Sequence, residues 1–85
     1  MKNIDVLKET FIDEELLIID GFDNAIVGID YIDKRIIYDI DLMIEILYIK
    51  DNLNNYDAIE HLEFNILNSY VGEKTPIFIY NIDNI

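Results

Sequence analysis

The chain has 85 residues, a length that supports one domain with one core rather than two. It holds no cysteine and a single histidine, which excludes disulfides and a closed zinc site as braces for so small a fold. Eighteen acidic residues against six basic ones give a net charge of −12, which disfavours nucleic acid and anionic membranes and favours a basic partner.

In chain order, Asn3 to Phe11 places Ile4, Leu7 and Phe11 at helical spacing with Lys8 and Glu9 outside, which predicts a short helix. Leu16-Leu17-Ile18-Ile19 is an apolar run that periodicity assigns to neither helix nor strand, and Asp20-Gly21 ends it. Ala25 to Tyr31 is rich in β-formers. A turn at Tyr31-Ile32-Asp33-Lys34 leads into Arg35-Ile36-Ile37-Tyr38, predicting an antiparallel hairpin with Gly28 inside its first strand. Asp39 or Asp41 can cap the following element. Its polar positions Asp41, Glu45, Tyr48 and Asn52 are spaced 4, 3 and 4, the helical repeat. The rest of that helix is apolar apart from Lys50 and Asp51, an arc wider than one packing face needs. After the turn Asn52-Leu53-Asn54-Asn55, Asn54 or Asn55 caps a second helix running to about Ser69, with Ile59, Leu62, Ile66 and Tyr70 as its buried stripe. Gly72 ends it, Thr75-Pro76 opens a last strand Ile77-Phe78-Ile79-Tyr80, and the tail Asn81 to Ile85 is expected to fray.

These elements predict an α+β domain over residues 1–85, with a small antiparallel sheet (the hairpin plus the C-terminal strand) packed against a helix pair. Stability must come from apolar density: 52% of the residues are hydrophobic, enough for a core with a surplus left for a partner. The acids are dispersed among these residues, with Asp13-Glu14-Glu15 the longest run, as expected for an acidic surface rather than a disordered tail. No basic stretch followed by an apolar one opens the chain, and no stretch is long and apolar enough to span a membrane. A cytoplasmic setting is therefore expected, in keeping with the absence of cysteine.

The candidate sites are few. His61 lies four residues after Asp57, a pairing that can serve a general base or a metal ligand, but it faces away from the apolar stripe, so a solvated pair is the simpler reading. Glu63 falls at the edge of the stripe, where partial burial could make it an acid, or where it could bond a tyrosine hydroxyl or bend its head group out to solvent. The aspartates around the hairpin lack the calcium-loop pattern, and Gly21, Gly28 and Gly72 are too far apart to cradle a phosphate. No catalytic, cofactor or metal residue is therefore assigned. Phe64 is the positive signal. It sits on the polar face of its helix among Asp57, Glu60, His61 and Asn68, and Tyr48 is placed similarly on the preceding helix. Tyr48, Asp57, Glu60 and Phe64 are the expected partner-binding residues.

From Gly21 onward the chain resembles a group of small acidic proteins encoded by phages and prophages of Gram-positive bacteria. The stretches that carry the resemblance are Gly21 to Ile29 (GFDNAIVGI), Ile37-Tyr38-Asp39, Ala58 to Asn65 (AIEHLEFN) and Gly72 to Ile77 (GEKTPI). The resemblance implies a phage accessory product and transfers no functional residue. Two readings follow. One is a non-enzymatic protein that binds a basic host protein, inhibiting a nucleic-acid-binding factor by imitating phosphates with carboxylates from Asp57, Glu60 and Glu63 or Glu45, together with Asp30, Asp33 and Asp39. The other is a self-associating scaffold module, a homodimer built on the surplus apolar arc of Leu42 to Ile49 and on Phe64. An enzyme is disfavoured because no nucleophile, base and oxyanion arrangement assembles from these residues.

Overall fold

A computed structural model describes residues 4–69 and 71–84. Tyr70, expected to close the stripe of the second helix, lies outside the described residues, as do Asn3 and Ile85. The first helix, α1, is Ile4–Thr10. Its Ile4 and Leu7 pack against the core while Lys8 and Glu9 face solvent, as the spacing predicts. The run Leu16 to Ile19 forms no regular element, yet all four side chains are half-buried. Gly21 turns the chain at φ +90°, a conformation that only glycine adopts without strain, and a 3-10 turn over Asp23–Ala25 follows.

Strand β1 (Ile26–Ile29) and strand β2 (Ile36–Asp39) form the expected antiparallel hairpin. Asp30 organises its tip. Its carboxylate accepts the Asp33 backbone N–H at 2.6 Å, and its carbonyl accepts that of Lys34 at 2.9 Å. The register slips between Ile26 and Gly28, so Val27 is a bulge in β1.

Helix α2 (Ile40–Asp51) starts directly from β2. Asp39 is its cap, with Oδ1 accepting the N–H groups of Asp41 at 2.8 Å and Leu42 at 3.3 Å. Asn52 ends it in the left-handed conformation, its N–H reaching back to Leu47 and Tyr48 carbonyls. The wide apolar arc of α2 has a structural use. The helix touches β2, the 3-10 turn before β1 and the next helix at once, burying Ile40, Met43 and Leu47 and half-burying Leu42, Ile44 and Ile46. Helix α3 (Asn55–Leu62) is capped by Asn54, whose Oδ1 accepts the Asp57 N–H at 2.8 Å. The helical path expected to reach Ser69 continues as a wider π turn, Glu63–Leu67.

Strand β3 (Ile77–Ile79) joins β2, and the sheet order is β1-β2-β3. The α+β architecture is as expected, but the sheet is mixed, because β3 runs parallel to β2 with Tyr38 opposite Phe78. The reason is the connection. A short hairpin loop such as that from Asp30 to Arg35 reverses the chain, whereas α2 and α3 together supply the long crossover that a parallel neighbour needs. In the tail expected to fray, Ile82–Asn84 form a 3-10 turn with the Asp83 N–H held by Asn81 Oδ1 at 2.9 Å. The core gathers Phe22, Ala25, Ile26, Ile36, Tyr38, Met43, Leu47, Ala58 and Leu62 between the sheet and the helices.

Candidate interaction surface

The surface on α3 follows from its stripe. Ala58 and Leu62 are fully buried, and Ile59, Ile66 and Leu67 are half-buried beside them. Each residue rotates about 100° around a helix axis, so Asp57, Glu60 and His61 fall on the outward side. All three are exposed. Phe64 opens outward from the π turn and is 88% exposed, the most exposed large apolar side chain among the described residues. Leu53, Asp57, Glu60, His61, Phe64 and Asn65 line one shallow depression. Neither Asp57 nor Glu60 makes an ion pair with any described residue. Asn65 fixes the rim: its amide donates to the His61 carbonyl at 2.9 Å and lies 3.3 Å from His61 Nδ1. The His61 ring therefore turns to Asn65 and not to Asp57.

Three of the four expected partner-binding residues, Asp57, Glu60 and Phe64, are brought together. Tyr48 is 59% exposed on α2 but does not line the depression; Leu53, from the turn between the helices, takes that place. Leu53 carried no polar or aromatic signal in the sequence, and its position in the Asn-rich turn was the one available hint.

Several acids take other roles. Glu63 is exposed, the bent-out alternative at the stripe edge rather than the half-buried acid, because one step beyond Leu62 turns it about 100° off the buried line. Asp39 is 1% exposed and committed to capping α2, so it is unavailable to a partner. Asp30 is half-buried and turned onto its own loop, while Asp33 and Glu45 face solvent. Of the acids expected to imitate phosphates, Asp57, Glu60 and Glu63 stay exposed on α3 and its continuation, with Glu45 on α2 and Asp33 at the hairpin tip.

A second hollow, about 240 Å³, lies between Leu17, Ile19, Ile66, Pro76 and Phe78, and no titratable side chain lines it. Among the described residues no group of three or more His, Cys, Asp or Glu side chains is placed to hold a metal ion. Among the described residues no helix is long and apolar enough to cross a membrane. The fold and this surface define a small α+β domain that displays an aromatic side chain among unpaired carboxylates. No family model matches the chain, and no curated protein or solved structure matches it.

Proposed function

We propose that this chain is a non-enzymatic accessory protein, of the kind phage and prophage genomes encode, that binds a host protein with a basic surface and blocks its nucleic-acid-binding groove. The observation that carries this reading is Phe64, 88% exposed between the unpaired carboxylates of Asp57 and Glu60. An exposed aromatic ring costs solubility and supplies an anchor for an interface core. Carboxylates without cationic neighbours leave a local negative field that attracts a basic groove and raises the association rate. The fold removes Asp39 and Asp30 from the acids that could imitate phosphates, so the mimicry rests on those of α3 and its continuation with Glu45 and Asp33.

The test is competition. A partner captured from bacterial lysate is challenged with duplex DNA or RNA while sodium chloride rises from about 50 to 500 mM. The expected result is release by nucleic acid and steep weakening with salt. The combined substitutions Asp57→Asn, Glu60→Gln and Glu63→Gln abolish binding while leaving the fold intact. A partner indifferent to both salt and nucleic acid removes the mimicry reading.

A further inference from the structure

The sheet has two edges, and the chain treats them differently. The β1 edge is guarded: Val27 bulges out of register, and Asp30 follows the strand immediately. Bulges and charges are the devices by which native edges refuse a new strand. The β3 edge has neither. Its one paired neighbour among the described residues is β2, and from Thr75 to Ile82 no residue carries a charge. The guards there are the shortness of the strand and Pro76, which stands before it and leaves Ile77 to Ile79 with all their N–H groups. At its C-terminal end Ile79 is 37% and Tyr80 59% exposed, and Ile82 in the turn beyond is 80% exposed.

We infer that the β3 edge docks a second copy of this chain, whose own β3 adds antiparallel across a twofold axis to join the two sheets. Charge selects this occupant. Two bodies of −12 repel wherever acids meet, so copies can approach only through a stretch free of acids on both sides, and Thr75 to Ile82 is such a stretch. A basic partner gains nothing from an uncharged edge. The outward backbone groups of β3 form a template for a strand laid opposite them, and the twofold arrangement supplies an identical one. The assembly closes at two copies, because its outer edges are then the bulged β1 strands. This site is separate from the acidic face of α3 and from the apolar arc of α2, most of which is spent inside the monomer.

Sedimentation equilibrium of the full chain tests it, at about 10 μM to 1 mM, the range in which weak association is measurable. The expected result is a monomer–dimer equilibrium that tightens as sodium chloride rises from about 50 to 500 mM, because salt screens like charges. Ile79→Lys and Tyr80→Lys, made separately, each weaken dimerisation about tenfold or more, as edge lysines do. They do so although each lowers the net negative charge. Tyr80→Lys changes an exposed position, so it reads the interface even if Ile79→Lys perturbs the sheet; far-UV circular dichroism checks both folds. Phe64→Ala and Tyr48→Ala leave the equilibrium unchanged. A strict monomer at about 1 mM in 500 mM salt, a dimer that ignores both lysine substitutions, loss of the dimer with Phe64→Ala, or growth beyond two copies each overturns the inference. Capture of a basic partner weakens with salt while this dimer strengthens, so the two sites succeed or fail independently.

Discussion

The Tyr38 hydroxyl accepts the backbone N–H of Ile19 at 2.8 Å, joining the centre of the sheet to the irregular segment before Gly21. Tyr38 is fully buried and its ring stacks on Phe78, with centroids 6.0 Å apart. One side chain thus links the middle strand, the parallel edge strand and a segment that has no ladder of its own.

Tyr38→Phe keeps the stacking and removes the acceptor, leaving the Ile19 N–H without its partner. We expect a loss of about 1 kcal/mol in urea denaturation. The same residue sets an alkaline limit. Burial, aided by the negative charge of Asp23, raises the Tyr38 pKa above its ordinary value, against the lowering effect of the Ile19 hydrogen bond. An acid whose pKa is raised by folding holds its proton longer in the folded state. Stability is therefore intact below the unfolded tyrosine pKa of about 10 and falls as pH rises beyond it toward the raised value. Thermal melts between neutral pH and pH 11 should fall less steeply for Tyr38→Phe than for the wild type.

Asp39 ends β2 and caps α2 while only 1% exposed. Asp39→Ala is expected to cost about 1–2 kcal/mol, and Asp39→Asn distinctly less, because asparagine is an equally good cap. Equal losses for the two substitutions in urea titrations would mean that its charge, rather than its cap, stabilises the junction.

Two glycines separate backbone from space. Gly72 has φ +115° with nothing within 4 Å of a Cβ built on it, so Gly72→Ala is expected to destabilise by more than about 1 kcal/mol through its backbone alone. Gly28 has no such φ, and its Cβ would meet Ile37 Cδ1 at 4.0 Å, an ordinary contact. Gly28→Ala is expected to be neutral or to stabilise by about 0.4–1 kcal/mol. Melting temperatures of the two variants should move in opposite directions or differ plainly in size.

Salt should raise the melting temperature of the wild-type chain. The described residues contain one ion pair with both partners located, Lys74 to Glu14 at 2.9 Å, against a net charge of −12. Self-repulsion therefore outweighs the attraction that salt also screens. An unchanged melt between 10 and 500 mM sodium chloride would show that the repulsion is locally balanced.

The local signals were legible in the sequence wherever the physics is local. The 4-3-4 spacing of Asp41, Glu45, Tyr48 and Asn52 marked α2, Asp39 and Asn54 were both among the named caps, and two runs of β-formers around a turn gave the hairpin. Phe64 could be placed outside because a helical wheel needs only the chain itself. Non-local facts were not legible. The direction of β3 depends on where the crossover returns the chain, and both directions bury the same apolar residues of a strand that short. The surplus of α2 could not be read as core or interface, since burial on three sides depends on three partners distant in sequence. The wheel also gave Glu63 and Asp39 no final role: the first needed the true centre of the α3 stripe, and the second needed the strand-to-helix junction. Composition and periodicity determined an acidic α+β domain with an outward aromatic. Tertiary structure alone decided which acids remain free, where Tyr38 anchors the irregular segment and which sheet edge stays open, because each depends on contacts between residues far apart in the chain.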